Sequence, residues 1–429
     1  MTLLRATTAV LATVVLLSPA VVACGSGDAR GGVVLNEINT DGGGDGDWVE
    51  LANTGTTDSV DVSGWGLADD DHDPLTVPAD SVIEPGGYLV VYTEPDFGLG
   101  TTDSLTLTDA DGTEIDSTSW SETTTAVLAR VPDLTGDFAD TATPTPGLSN
   151  DLDPWPADPL DTGAADLTGD YAADFTDADM SGVDIADDGT AYVVNNAEGT
   201  LYVLTPGEGD SWSVDGRYQL RYPDGSGHPD AEGVTVGPDG SLYVATERDG
   251  DDDQVSRPSV LRFDIPTDSG DGELTATDEW NLSDLTGELD ANEGLEAISW
   301  ISDAATPDTV AVGVEGTAEV LILSLGTAEP VLVQRYVTPL AGVMGSDYDA
   351  ATGELTVLCD ETCGGASQVL TAVDGQFVPA SDALNARPET MDNVGNEGYA
   401  HATTADGTER FLWTDDSATG EVSLRGAVR

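Results

Sequence analysis

The sequence predicts an all-β protein of two modules, a small β-sandwich followed by a five-bladed β-propeller. Three observations lead there. Apolar residues, 39% of the chain, recur in short alternating runs with Gly, Asp and Asn between them, the pattern of strands and turns. Long stretches with a 3.6-residue period are missing. After residue 177 the chain repeats itself in five units, and repeats of this length mean stacked supersecondary units. A length of 429 residues fits two domains.

The N-terminus stands apart from both modules. Arg5 is followed by an uncharged, mostly apolar run over residues 6–23, the layout of a secretory signal. The run ends Val21-Val22-Ala23-Cys24, then Gly25 and Ser26, which resembles the lipobox of bacterial lipoproteins. The resemblance implies cleavage after residue 23, diacylation of Cys24 and a tether over 24–31. Each buried acyl methylene contributes roughly 0.8 kcal/mol, so two chains anchor stably. An uncleaved span is the alternative, but the run is short and holds Pro19. No later stretch approaches the ~20 apolar residues of a span. The expectation is a membrane-anchored surface lipoprotein, on the extracellular or periplasmic face.

Charge narrows the partners. The chain carries 81 acids against 13 basic residues, all Arg, for a net −68; loss of residues 1–23 removes Arg5 and gives −69. Such a surface repels nucleic acid and anionic lipid, so binding to either through charge is not expected. Two accounts of the acids compete: a solvated surface suited to high salt, where screening shortens repulsion to a few ångströms, and carboxylate clusters that hold hard cations. Disorder, the other meaning of high charge, conflicts with eight Trp and with the strand pattern.

The first module spans residues 32–150. VVLNEI, DWVELAN, VDVSGWGLAD, GGYLVVYT, SLTLTDADGTEIDSTSW and AVLARV each alternate well enough to bury one face, and Asp111-Gly112 suits a hairpin turn. Trp48 and Trp65 read as core. Asn36, Glu37 and Glu50 either satisfy turns and strand ends or line a polar site. The loop Asp69-Asp70-Asp71-His72-Asp73 is carboxylate-rich but lacks the ligand spacing of a dedicated calcium loop. The segments Leu35-Asn36-Glu37-Ile38, Asp47-Trp48-Val49-Glu50-Leu51, Asp61-Val62-Ser63-Gly64-Trp65, Pro85-Gly86-Gly87-Tyr88 and Thr143-Pro144-Thr145-Pro146-Gly147 resemble the lamin-tail domain. That likeness implies an immunoglobulin-like sandwich serving as a binding or targeting module. Residues 151–176, rich in Pro, Asp and Gly, read as a linker.

The second module spans residues 177–429. Its units open at Ser181-Gly182-Val183, Glu232-Gly233-Val234, Glu293-Gly294-Leu295, Met344-Gly345-Ser346 and Glu397-Gly398-Tyr399. Turns follow at Asp188-Gly189, Pro238-Asp239-Gly240, Thr352-Gly353 and Asp406-Gly407, and second strands at 191–194, 241–245, 310–314, 354–358 and 410–413. Units of three or four strands at this spacing are propeller blades. Five are expected; a sixth inside an insertion or the linker stays open. The motifs Ala231-Glu232-Gly233-Val234, Asn292-Glu293-Gly294-Leu295-Glu296 and Asn396-Glu397-Gly398 resemble the SdiA-regulated family, distantly similar to NHL-repeat propellers. Glu-Gly openings also occur in calcium-dependent lactonases and phytase-like esterases. The resemblance implies calcium near the propeller axis.

Blade geometry points the same way. Innermost strands line the axial channel, so Glu232, Glu293 and Glu397, two of them preceded by Asn292 and Asn396, are expected to face one another. Second strands end on the same face with Asn195, Asn196, Glu247, Glu315, Asp360, Glu361, Asp415 and Asp416. Crowded like charges raise one another's pKa values unless a cation intervenes, and calcium takes six to eight oxygens in loose geometry. The alternative is a solvated acidic rim.

Cys359 and Cys363 are expected to form a disulfide outside the cytoplasm. The sequence holds no Gly-x-Ser-x-Gly elbow and no Lys for a phosphate loop. The catalytic candidates are His228 and Asp230, just before Glu232, and His401, just after Glu397, with a metal-bound water in mind. The preferred expectation is a non-catalytic lipoprotein that binds an extracellular ligand or envelope component. The alternative is a calcium-dependent phosphoesterase or lactonase at the propeller mouth.

Overall fold

The computed structural model describes residues 32–429 except 41–45, 70–72, 95, 122–126, 157–159, 177, 253–254, 267–269 and 405–406. The signal segment, Cys24, the tether, Asp70, Asp71, His72 and Asp406 therefore lie outside the described residues.

Alternating sequences in the first module build two main sheets, beside a two-stranded pairing of Val60–Asp61 with Val82–Ile83. One runs Asp137–Thr141, Val127–Val131, Val33–Asn39, Trp48–Asn53, Tyr88–Tyr92; the other runs Leu75–Thr76, Gly66–Ala68, Thr102–Thr108, Glu114–Ser121. Leu35, Ile38, Val49, Leu51, Trp65, Leu67, Leu105 and Leu107 form the core between them. Leu35 and Ile38 are three residues apart, yet both face that core. A bulge between Leu35 and Glu37 makes this possible, because the extra residue shifts the alternation. Trp48 is buried as well.

The second module is a ring of five sheets, each built on four antiparallel strands, and two further strands join the sheet of blade 1 in parallel. From axis to rim, blade 1 is Met180–Ile185, Ala191–Asn195, Thr200–Pro206, Ser211–Arg221, and blade 2 is Pro229–Val236, Ser241–Asp249, Ser256–Asp264, Asp278–Asn281. Blade 3 is Leu295–Trp300, Thr309–Val314, Glu319–Ser324, Val331–Val337. Blade 4 is Gly345–Asp349, Glu354–Leu358, Ser367–Val373, Gln376–Pro379. Blade 5 takes Asn396–Thr403, Glu409–Asp415 and Leu424–Val428, and Gly163–Ala164 supplies its outermost strand. The innermost strands touch in cyclic order, blade 5 returning to blade 1.

Apolar side chains fill every gap between blades. Tyr192 and Val194 meet Val234 and Leu242 between blades 1 and 2; Tyr243 and Ala245 meet Val310 and Leu321 between blades 2 and 3. Ala297 and Ala311 meet Leu355 and Val357, Leu358 meets Phe411 and Trp413, and Val183 meets Ala400 and Leu412. Each blade buries both faces only because its neighbours cover them, which is why the repeat must close.

Residues 151–176 are not a loose linker. Trp155 packs edge-on against Tyr399 at 5.2 Å and Trp413 at 5.9 Å, and Asp166–Thr168 pairs in parallel with Ser211–Ser213. The composition hid this because two- and three-residue strands leave no periodicity. The insertion at 268–278 likewise holds Gly270–Thr275, paired in parallel with Gly216–Arg221, and supplies no sixth blade among the described residues. Cys359 and Cys363 are disulfide-bonded in the loop after the second strand of blade 4. Thr143 Oγ1 donates to the Cys363 carbonyl at 2.8 Å, which joins the sandwich to the ring.

Candidate metal centre on the propeller axis

The innermost strands of blades 1, 2, 3 and 5 each open with a bulge. The bulges fall on Ser181-Gly182, Glu232, Glu296 and Glu397, whereas blade 4 pairs regularly from Gly345. A bulge re-aims its side chain, and here it turns those residues onto the axis. The next residue must be small. A Cβ on Gly182 would lie 2.4 Å from the Glu232 carbonyl oxygen, one on Gly233 2.7 Å from that of Glu296, and one on Gly398 2.4 Å from that of Ser181. The repeated glycine therefore records the close approach of neighbouring strands around the channel.

Carboxylate oxygens of Glu232, Glu296 and Glu397 lie within 4.8 Å of one another. Asp230, Glu232 and Glu247 form a second such group and Glu247, Glu296 and Glu315 a third, so one chain of six acids runs from the axis toward the mouth. Glu232 is 3% exposed, Glu247 2% and Glu296 5%. Calcium–oxygen distances of about 2.3–2.6 Å place ligand atoms around one ion at most ~5 Å apart, so the spacing fits.

Hydrogen bonding leaves the cluster short of donors. Ser181 Oγ donates to Glu397 Oε2 at 3.1 Å and the Gly294 amide to Glu247 Oε1 at 2.7 Å. Glu232 Oε2 is buried with no hydrogen-bond partner among the described residues. Arg248 Nε lies 2.5 Å from Asp230 Oδ2 and favours its charged form, against the burial that raises its pKa. Burial, then the neighbouring acids, push Glu232 and Glu296 well above the usual carboxylate range. Glu397 is raised well above it by burial and next by Asp416. Burial followed by Glu247, Asp360, Glu293 and Asp416 brings Glu315 up to about 7. A divalent cation inverts this logic by favouring the charged form.

Four of the six expected ligands lie outside the cluster. Asn292 and Glu293 are exposed and lie outside the cluster; Glu296 takes the place expected for Glu293. The literal Glu-Gly pair occurs three residues too early, and Glu296-Ala297-Ile298 is the true counterpart of Glu232-Gly233-Val234. The signal was present in the sequence, with Ala in the role of the small residue. Asn396 is buried, and its amide, in the orientation that meets its neighbours, donates to the Thr414 carbonyl at 3.2 Å and the Gly398 carbonyl at 3.1 Å. It braces the bulge. Asp360 caps the turn Glu361–Cys363 by accepting from the Thr362 amide at 3.0 Å, and its charge acts on Glu315 and Glu397. Asp415 is held by Arg425 at 2.6 Å.

The catalytic candidates separate. Asp230 belongs to the cluster. His228 pairs with Asp251 at 3.2 Å and lines an open polar groove with Gln219 and Arg221. His401 stacks on Phe411 at 4.6 Å, and burial lowers its pKa. Four residues of strand separate it from Glu397, about 13 Å, so it sits toward the opposite mouth.

In the sandwich, Glu37 and Glu50 are also buried, but donors meet all their oxygens. The Thr145 amide and Oγ1 donate to Glu37 at 2.9 Å each. Asn36 Nδ2 donates to Glu50 Oε1 at 2.9 Å and the Gly147 amide to Oε2 at 2.6 Å. These acids staple residues 143–150 onto the sheet.

Comparison with known proteins agrees with both modules. Residues 26–122 match the family model of the lamin tail domain. Residues 169–363 match the phytase-like family, described as esterase-like activity of phytase; Glu397 lies beyond that match. A search of curated proteins finds no match. Among solved structures, the chain is similar to Kuenenia stuttgartiensis hydrazine synthase, with 15% identity, a TM-score of 0.29 and 56% of each chain covered. It is also similar to a chain in a crystal structure of the mitotic checkpoint complex, with 12% identity, a TM-score of 0.29, and 64% of this chain and 73% of that one covered. The chain thus spans little more than half of the hydrazine synthase chain.

Proposed function

We propose that the propeller is a calcium-dependent hydrolase of phosphate or related esters, carried on an exported lipoprotein anchored through Cys24. The observation that carries the reading is the run of six buried or half-buried acids, with Glu232 Oε2 left without a donor. The phytase-like match over residues 169–363 supports the hydrolytic side. The likeness of the blade openings to SdiA-regulated propellers supports an axial calcium ion.

Glu232, Glu296 and Glu397 would hold the ion, with Glu247, Glu315 and Asp230 leading toward the mouth. A bound calcium ion supplies Lewis-acid polarisation of a phosphoryl oxygen and a water of lowered pKa. The bulged backbone fixes the three carboxylates, and the packed glycines keep the channel narrow. In a chain of net charge −68, an anionic substrate is repelled everywhere except where a cation is held. The test is turnover of a chromogenic phosphodiester in calcium, abolished by a chelator and restored by calcium. No turnover at any calcium concentration sinks the hydrolase reading.

One observation favours a second reading, a calcium-stabilised binding protein. Among the described residues no histidine joins the cluster, since His228 faces Asp251 and His401 lies on Phe411. The lamin-tail module would then bind a cell-envelope component, with the propeller binding an extracellular ligand. Retained calcium binding without turnover selects this reading. Cell-surface placement is tested separately: Cys24→Ser should abolish partitioning into detergent, and unchanged partitioning rejects the anchor.

A further inference from the structure

The axial cluster has one internal cation. Of the six acids Asp230, Glu232, Glu247, Glu296, Glu315 and Glu397, only Asp230 has an Arg within ion-pair distance among the described residues. Arg248 sits near the end of Ser241–Asp249, the second strand of blade 2, which returns to the mouth. Its Nη1 donates to the Ala291 carbonyl at 3.2 Å, in the segment leading into blade 3. The side chain is 22% exposed, against 6% for that of Asp230.

The contact joins a partly exposed guanidinium to a buried carboxylate whose charge it favours. A guanidinium held this way is replaceable. A divalent cation on Asp230 would repel it at short range, and its exposed side leaves water on the side of release. Once displaced, Arg248 would stand at the mouth beside the ion, with a planar fork suited to a phosphoryl group.

We propose that Arg248 is an exchangeable counter-ion: it neutralises Asp230 before a divalent cation binds, and afterwards turns to the mouth to hold the anionic group of the ligand. The inference rests on the axial calcium reading and adds a cation-gated anion subsite to it. Calcium creates the subsite by freeing the arginine as well as by its own charge, so anion binding is ordered after cation binding.

Calorimetry on the full chain tests this with calcium alone, and then with phenylphosphonate, which cannot be hydrolysed as an ester. Wild type should bind phenylphosphonate only in calcium. Arg248→Gln removes the competitor for Asp230, so calcium affinity should rise about fivefold, equivalent to an ion pair of about 1 kcal/mol. Phenylphosphonate affinity in calcium should fall at least tenfold. Arg248→Lys keeps the charge and loses the fork, so calcium affinity should stay near wild type while phenylphosphonate weakens severalfold; it carries the test if the Gln variant does not fold. Arg425→Gln, which touches Asp415 outside the cluster, should change neither affinity.

A purely structural Arg248 predicts the opposite sign, weaker calcium binding in Arg248→Gln. That result, or unchanged phenylphosphonate binding in the Arg248 variants, overturns the proposal while leaving the calcium site standing. A wild type that binds no calcium removes both.

Discussion

The two modules bury glutamates to a similar depth and use them in opposite ways. In the sandwich every oxygen of Glu37 and Glu50 receives an N–H or O–H donor, and the segment carrying Thr145 and Gly147 supplies most of them. On the propeller axis Glu232, Glu296 and Glu397 face one another, and Glu232 Oε2 has no donor among the described residues. Burial by itself does not distinguish a staple from a site. The donor inventory does, because an unmatched buried carboxylate needs a proton or a cation.

The contrast breaks first under pH. Burial pushes Glu50 up to about 8 from the usual 4.5. Below about pH 4.5 folded and unfolded chains both hold this proton. Between there and about pH 8 the unfolded chain loses it and the folded chain keeps it, so sandwich stability falls as pH rises and levels off above. The slope is about 1.4 kcal/mol per pH unit, about 5 kcal/mol over the window. Hydrogen exchange at the Thr145 and Gly147 amides, corrected for intrinsic rates, should show protection falling in that range. Glu50→Gln should make it shallower, leaving the part due to Glu37, which burial also pushes well above the usual carboxylate range. Protection independent of pH in wild type rejects a proton-holding staple.

Cation dependence comes next in size and belongs to the other module. At calcium about 100 times its dissociation constant, the propeller should gain about 2.7 kcal/mol. Gln at Glu232, Glu296 or Glu397 should weaken calcium binding and shrink that gain, while Glu293→Gln and Glu50→Gln should not. The pair Glu296 and Glu293 is the sharpest comparison, since the two lie three residues apart in one motif. Equal calcium affinities for those two variants would falsify the assignment of the ring.

A smaller effect isolates one donor. Thr145→Val removes the hydroxyl that serves Glu37 and should cost the sandwich about 1–2 kcal/mol, with calcium affinity unchanged. Coupling between this change and calcium binding would mean that the modules are not independent. Smallest of all should be His401→Ala. It loses its stack on Phe411, and calcium affinity measured by titration should match wild type. A changed affinity would place the opposite mouth in communication with the site.

Much of this was legible in the sequence. Period-two runs and turn residues determine the strands, because one buried face per strand is a local property of the pattern. The fivefold repeat determines the propeller, because a blade with two apolar faces needs neighbours on both sides. Glu232 and Glu397 could be placed from the repeat, as could the return of Glu247 and Glu315 to the same mouth. Only the tertiary structure decided that Glu296 and not Glu293 completes the ring. A one-residue bulge sets which side chain turns to the axis, and pairing with the second strand, not composition, locates the bulge. The same holds for Gly163–Ala164, too short to leave a pattern, which becomes a strand because blade 5 offers it an open edge.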